Sequence, residues 1–515
     1  MAPAPEPPPT LGVHYTPAPL VDHVIEELLG PMIAERPPAE AIELRLADPA
    51  CGEGAFLLGA FRFLAAHVAA RAADPEAARR RIVSHQLVGV DTDGAALARA
   101  AEALSHAAGG ASPRLVQGNS LIGARADFDD DCPVDYSTRF PDVFDRERPG
   151  FDVVVGNPPY VDAEHMVRQM PDLRAFCRER YATARGNWDL FVPFAERALA
   201  LTRQGGRHAF VVPNKLLGAA YAADLRAHLT EEARLDVLLC YAGAQPFAAH
   251  VYPLAYVVTR ASHDGGGQVQ IHIHRERGEP EALSLPRARF GRDPWPVVER
   301  DDHALPALEA VAEVRGAATV AEAYALGPLI RDLADPPADA LRVLNSGTID
   351  PHQSLWGERP LRYLKRRHLH PVVLAADQTR LPPRRLAQSR TSKVVVASMT
   401  RRLEAFADPL GRYCAAKSTT LLLPRPGVDL FALAALLNSA PASEAYRARF
   451  GGLAMSGGYL RVGPPELRAL PFPLPAPTSE AGRALQRLGR TLARDPRSAA
   501  SGEVDALAAR LYQQA

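Results

Sequence analysis

Phe151-Asp152-Val153-Val154-Val155-Gly156, followed directly by Asn157-Pro158-Pro159-Tyr160, is the stretch on which the fold turns. The first six residues are an apolar run interrupted only by Asp152, the pattern of a parallel-sheet strand covered on both faces. Gly156 ends that strand in a tight bend. Two consecutive prolines then fix the backbone and remove two N–H donors. What remains is one amide side chain, carbonyl oxygens without competing donors, and an aromatic ring. That set is a rigid group of acceptors for a planar amino group, with a ring to stack on it. Taken alone, the tetrapeptide also fits a plain proline turn capping a strand.

Upstream, Leu44-Arg45-Leu46-Ala47 leads into Asp48-Pro49-Ala50-Cys51-Gly52-Glu53-Gly54-Ala55-Phe56-Leu57. The order is strand, glycine-containing loop, apolar helix. Gly52 and Gly54 let the main chain bend sharply and approach a ligand closely. Leu87-Val88-Gly89-Val90-Asp91-Thr92-Asp93 is a second strand ending in acids, and an acid at that position is placed to accept hydrogen bonds from a ribose diol. A dinucleotide fits less well, because the third glycine and a phosphate loop are missing. A cofactor with a ribose and no pyrophosphate, such as S-adenosylmethionine, fits better.

These blocks resemble the N6-adenine DNA methyltransferases of restriction–modification systems, in the circular order called the gamma class. The resemblance begins at His14-Tyr15-Thr16-Pro17 and runs through Asp48 to Gly54, Gly89-Val90-Asp91 and Gly118-Asn119-Ser120-Leu121. It continues in Asn157-Pro158-Pro159-Tyr160, Gly186-Asn187-Trp188-Asp189-Leu190-Phe191 and Gly205-Gly206-Arg207-His208. Seven ordered blocks over the first half of the chain are far more specific than any one of them.

The resemblance implies a flipped-out adenine whose amine is gripped by Asn157 Oδ1 and the Pro158 carbonyl, with Pro159 stiffening the turn and Tyr160 stacking on the base. It places a second aromatic in Gln245 to Pro253, where Phe247 is the candidate and Tyr252 the alternative. For the cofactor it implies Thr16, Asp48, Ala50, Gly52, Gly54 and Asp91. Asn119 stands where many relatives carry an aspartate for the cofactor's adenine amine. Asp93 reads as a helix N-cap, and Asp189 as either a support for the Asn157 loop or a cap.

The length of 515 residues suggests two or three domains. No apolar run is long enough to span a membrane. The five cysteines are scattered without a C-x-x-C, so neither a metal site nor a disulfide framework is expected, and a cytoplasmic setting is natural. The net charge of zero hides a segregation. Residues 341–475 hold 20 Lys+Arg against 8 Asp+Glu, the footprint of a nucleic-acid-binding region. Its clusters are Arg362, Lys365, Arg366 and Arg367; Arg384, Arg385, Arg390 and Lys393; and Arg401 with Arg402. Most are expected on phosphates, which position a duplex without reading it.

The expected fold is α/β: a Rossmann-like S-adenosylmethionine-dependent methyltransferase sheet with helices on both faces, followed by a mixed α+β DNA-recognition domain. The boundaries read as a disordered tail over 1–10, a catalytic domain over 11–261, a recognition domain over 262–475 and a helical segment over 476–515. The acidic insertion at 127–145 reads as a surface excursion, and 304–314 as a helix. Double-stranded DNA is the expected partner, with a separate restriction nuclease as a further one. RNA adenine methylation, protein-glutamine methylation and a catalytically silent DNA-binding subunit are the alternatives.

Overall fold

A computed structural model describes residues 16–34, 40, 43–68, 72, 74–123, 133–241, 253–261, 265–274, 280–297, 305–450 and 459–513. The chain divides into two compact units, Met1–Glu299 and Arg300–Ala515.

The first unit is built on a nine-stranded sheet. Its strands are β1 (Leu46–Asp48), β2 (Leu87–Asp91), β3 (Arg114–Gln117), β4 (Phe151–Gly156), β5 (Thr202–Pro213), β6 (Arg234–Cys240), β7 (Pro253–Thr259), β8 (Gln268–Ile273) and β9 (Glu281–Pro286), in the spatial order 3-2-1-4-5-7-6-8-9. Strands β3 through β5 are parallel, whereas β7 runs antiparallel between β5 and β6. Helices cover both faces. Alternate residues of β4 show why: Val153 and Val155 join one core and Val154 the other. The first core is closed by α1 (Ala18–Ile33) and α2 (Ala55–Val68), with α3 (Gly94–Ala107) beside them, and the second by α4 (Phe191–Leu201).

Chain order reverses direction between β1 and β4, which pair directly through Ala47 and Val154. In an open α/β sheet such a switch point leaves a crevice outside the carboxyl ends of the strands. Asp48, Asp91 and Gly156 are the last residues of β1, β2 and β4, so all three end at that crevice.

Four expectations are corrected. Gln268–Ile273 pairs in parallel with β6 inside the first sheet, so compactness divides the chain at 299/300 and not at 262. The boundary at 262 rests on Ser262-His263-Asp264-Gly265-Gly266-Gly267, which reads as a linker by composition. In place of a helix over 304–314, the described residues from 305 onward hold a 3-10 turn, Leu308–Ala310, and the strand Ala312–Gly316 that follows it. Gln204-Gly205-Gly206 reads as the break between a helix over 191–201 and the next strand, whereas β5 follows that helix directly at Thr202 and contains all three residues, with Gly205 at φ +72°. Of the acidic insertion, Val134, Tyr136, Phe140 and Val143 are core residues of the first unit, not a surface excursion.

The second unit holds two four-stranded sheets, one antiparallel (Ala312–Gly316, Thr419–Pro424, Lys393–Ala397, Ala405–Asp408) and one mixed. Its α+β character matches the expectation. The helix Glu480–Arg494, capped by Ser479, packs on Leu430–Leu437 so closely that a Cβ on Gly489 would stand 2.3 Å from the Phe431 carbonyl oxygen. The Tyr512 hydroxyl donates to the Pro471 carbonyl at 2.9 Å, so the described part of the C-terminal segment belongs to this unit's packing.

Candidate active site

A cavity of about 900 Å³ opens at the switch point. Its walls include Thr16, Asp48, Ala50, Gly52, Asp91, Asn119, Asn157 and Pro159. Pro158, Tyr160 and Gly54 are not among its lining residues, although Glu53 and Ala55 on either side of Gly54 are. Phe247 and Tyr252 lie outside the described residues.

The loop after β1 is fastened from three sides. The Gly52 N–H donates to Asp91 Oδ2 at 2.8 Å, and the Cys51 N–H to the Val90 carbonyl at 3.0 Å. Ser120 Oγ donates to the Pro49 carbonyl at 2.6 Å and shares a 2.8 Å hydrogen bond with Tyr136. Gly52 and Gly54 sit at φ +50° and +83°, which explains the two glycines in chemical terms. Asp93 is the N-cap of α3, accepting from the N–H groups of Ala95 and Ala96.

Asp48 is 1 % exposed. Burial pushes its carboxyl up to about 8, against the Ala50 N–H that it accepts at 3.1 Å, and the neighbouring Asp91 adds to the rise. It is therefore largely protonated at neutral pH in the free protein, and a cation beside it would favour its ionised form. Asp91 accepts from Gly52 through Oδ2 and from the Asp93 N–H through Oδ1, leaving a further lone pair on each oxygen. Asn119 Oδ1 accepts the Leu121 N–H at 3.0 Å, so only part of its acceptor capacity is left for the role expected of it. Burial, Asp48 and Asp91 together raise the Cys51 thiol well above its usual range, which removes it as a nucleophile.

Asn157 is held in one orientation. Its Nδ2 donates to Thr16 Oγ1 at 3.0 Å. Its Oδ1 is buried and has no hydrogen-bond partner among the described residues. An orphaned buried acceptor is costly unless something supplies a donor. The Thr16 contact was missed from the sequence, which assigned Thr16 to the cofactor alone. A separation of 141 positions gives no local signal. Burial raises the Tyr160 phenol well above its usual range, so it stays neutral.

The Asp189 side chain does not cap α4. It accepts from Lys215 Nζ at 3.1 Å and from the Tyr221 hydroxyl at 2.7 Å.

The basic side chains of the second unit separate into two groups. Arg362, Lys365, Arg366 and Arg367 form an exposed two-stranded hairpin, Leu361–Tyr363 with Arg366–His368, whose turn residues Leu364 and Lys365 have φ of 45° and 68°. Arg362 and Arg367 face each other across it, two like charges side by side without a described acid between them. Arg384, Arg401 and Arg402 are also exposed. Arg385 departs from the expectation. Its guanidinium is 12 % exposed and spent on Glu322, at 2.7 Å and 2.9 Å, and on Gln388. Arg390 is tied to Gln378. Lys393 is fully buried on Asp408 at 2.5 Å.

Residues 85–247 match the family described as Eco57I restriction-modification methylase. The type II restriction enzyme and methyltransferase RM.Eco57I of Escherichia coli is 23 % identical over 281 residues, 47 % of this chain and 28 % of the relative. The adenine-specific methyltransferase PglX of Streptomyces coelicolor is 27 % identical over 311 residues, 53 % of this chain and 25 % of the relative. The chain thus spans only about a quarter of the length of these curated relatives. Among solved structures, the type IIL restriction-modification enzyme MmeI in complex with DNA covers 98 % of this chain and 75 % of its own, with a TM-score of 0.61 at 15 % identity. That likeness establishes the α/β fold; the family match lies within the first unit, over residues 85–247.

Proposed function

We propose that this chain transfers a methyl group from S-adenosylmethionine to N6 of an adenine turned out of duplex DNA, as the modification activity of a restriction–modification system. The observation that carries the reading is Asn157: its amide nitrogen is anchored by Thr16 while its buried oxygen lacks a donor at the wall of the cavity. An exocyclic amine is a donor of the right kind.

The residues around the cavity fit the cofactor. Its wall carries Asp48, Glu53, Asp91 and Asp93, while Arg62 and Arg99 there are paired with Asp22 and Glu53. Such a wall suits a ribose diol and a cation and repels a pyrophosphate. Asp91 would hold the diol and the Asp48-to-Gly54 loop the methionine end. Bound there, S-adenosylmethionine supplies a methyl group on a sulfonium sulfur that needs no further activation.

The amine of adenine is a poor nucleophile because its lone pair is delocalised into the ring. Asn157 Oδ1 and the Pro158 carbonyl, accepting its two hydrogens, favour a pyramidal nitrogen and free that pair. The prolines keep both acceptors in place before the base arrives, so catalysis is chiefly positioning. No strong base is needed, since the surplus proton can pass to water. Tyr160 stacks on the base, with Phe247 proposed for its other face. The exposed hairpin and Arg384, Arg401 and Arg402 would contact phosphates of the duplex in a cytoplasmic setting. A separate restriction nuclease is the proposed partner of the system.

The test is tritium transfer from labelled cofactor to duplex DNA, with the modified base identified after hydrolysis. N6-methyladenine at a restricted set of sites is expected. Label confined to RNA or to protein would reject the reading.

A further inference from the structure

Away from the cavity, α1 and β8 bring together three metal-ligand side chains that no motif marks. His23 and Glu27 lie four positions apart on α1 and so share a face. His272 comes from β8, the strand that the sequence placed in another domain. Glu27 Oε1 is 3.9 Å from His23 Nε2 and 3.6 Å from His272 Nδ1. One ligand atom from each of the three lies within 4.8 Å of the others.

The surroundings suit a ligand set. The Tyr241 hydroxyl is 3.3 Å from His23 Nδ1, so an Nδ1–H donating to it leaves Nε2 unprotonated and facing Glu27. The His274 ring meets His23 edge-on at 4.8 Å and stacks on Tyr241 at 4.7 Å. Its buried Nε2 has no hydrogen-bond partner among the described residues.

We propose that His23, Glu27 and His272 form a site for a divalent transition metal of the zinc class, tying α1 to β8. Two imidazoles and one carboxylate suit such an ion. Bonds of about 2.0–2.2 Å place tetrahedral ligand atoms roughly 3.3 Å apart. The two contacts to Glu27, at 3.9 Å and 3.6 Å, lie within an ångström of that spacing, and rotamer adjustment of the two imidazoles brings them closer together. A water takes the fourth position. The site has a remote consequence: α1 begins two residues after Thr16, whose hydroxyl holds Asn157, so the ion steadies the helix that orients the cradle.

The experiment uses the untagged full-length chain stripped with a chelator. Titration with Co²⁺ is expected to give one equivalent of binding with the visible absorption of a low-coordinate nitrogen- and oxygen-ligated ion. Zn²⁺ at a hundredfold excess over its Kd is expected to raise Tm by about 5 °C. Glu27→Gln and His272→Gln are expected to keep the metal-free Tm and to weaken Co²⁺ binding at least tenfold, and Tyr241→Phe to weaken it about tenfold. Absence of equimolar binding overturns the proposal, as does unweakened binding in Glu27→Gln. Should His272→Gln fail to fold, Glu27→Gln decides the matter.

Discussion

Replacing Gly156 by alanine tests the geometry of the site at its most crowded point. A Cβ there would lie 2.5 Å from Asp48 Oδ1, 3.1 Å from its Cγ and 3.4 Å from Phe210 Cε1. Ordinary carbon–oxygen contact begins near 3.4 Å, so the carboxyl must retreat by most of an ångström. Asp48 is buried between paired strands and has nowhere to go without giving up the Ala50 N–H. Overpacking of this kind costs about 1–3 kcal/mol, and releasing the part-buried Ala50 N–H at the cavity wall adds about 1 kcal/mol. A net loss of about 2–4 kcal/mol is expected, measured by denaturant unfolding of the first transition. The cause is isolated by a double-mutant cycle with Asp48→Ala, which removes the clashing atoms. If the clash is the cause, Gly156→Ala costs about 2 kcal/mol less in the Asp48→Ala background. Additive effects, or a single mutant within about 0.5 kcal/mol of the parent, would refute the reasoning.

Further outcomes can be measured separately. Asn157→Ala is expected to abolish methyl transfer while leaving cofactor affinity, followed by calorimetry, within about threefold, because the lost oxygen serves the base. The raised Asp48 carboxyl binds a proton more tightly in the folded state, so its contribution to stability is full below about pH 4 and is lost as pH rises through about 8. Tm profiles over that window are expected to fall more steeply for the parent than for Asp48→Asn; parallel profiles would count against it. Lys393→Ala leaves Asp408 buried without its cation and is expected to cost about 3–5 kcal/mol in unfolding of the second unit. Arg362→Ala with Arg367→Ala is expected to lower the slope of log affinity for DNA against log salt by about 2, whereas Arg385→Ala is expected to lower stability and leave that slope unchanged.

The α/β class and the strands ending at Asp48, Asp91 and Gly156 were legible in the sequence because their signals are local. A buried parallel strand such as Phe151–Gly156 is apolar along its length, and turns at Gly52, Gly54 and Pro158-Pro159 carry their own backbone chemistry. Relations between distant residues were not legible. The sequence could not show that Thr16 holds Asn157, that β8 returns to the first sheet, or that His23, Glu27 and His272 meet. Nor could it divide the basic region: Arg384 and Arg385 are adjacent, yet one is exposed and the other is held by Glu322. Periodicity and turn residues report what each segment does with its own backbone. Which donor meets which acceptor is settled by packing, and packing alone decided whether a charge was spent inside the protein or left facing water.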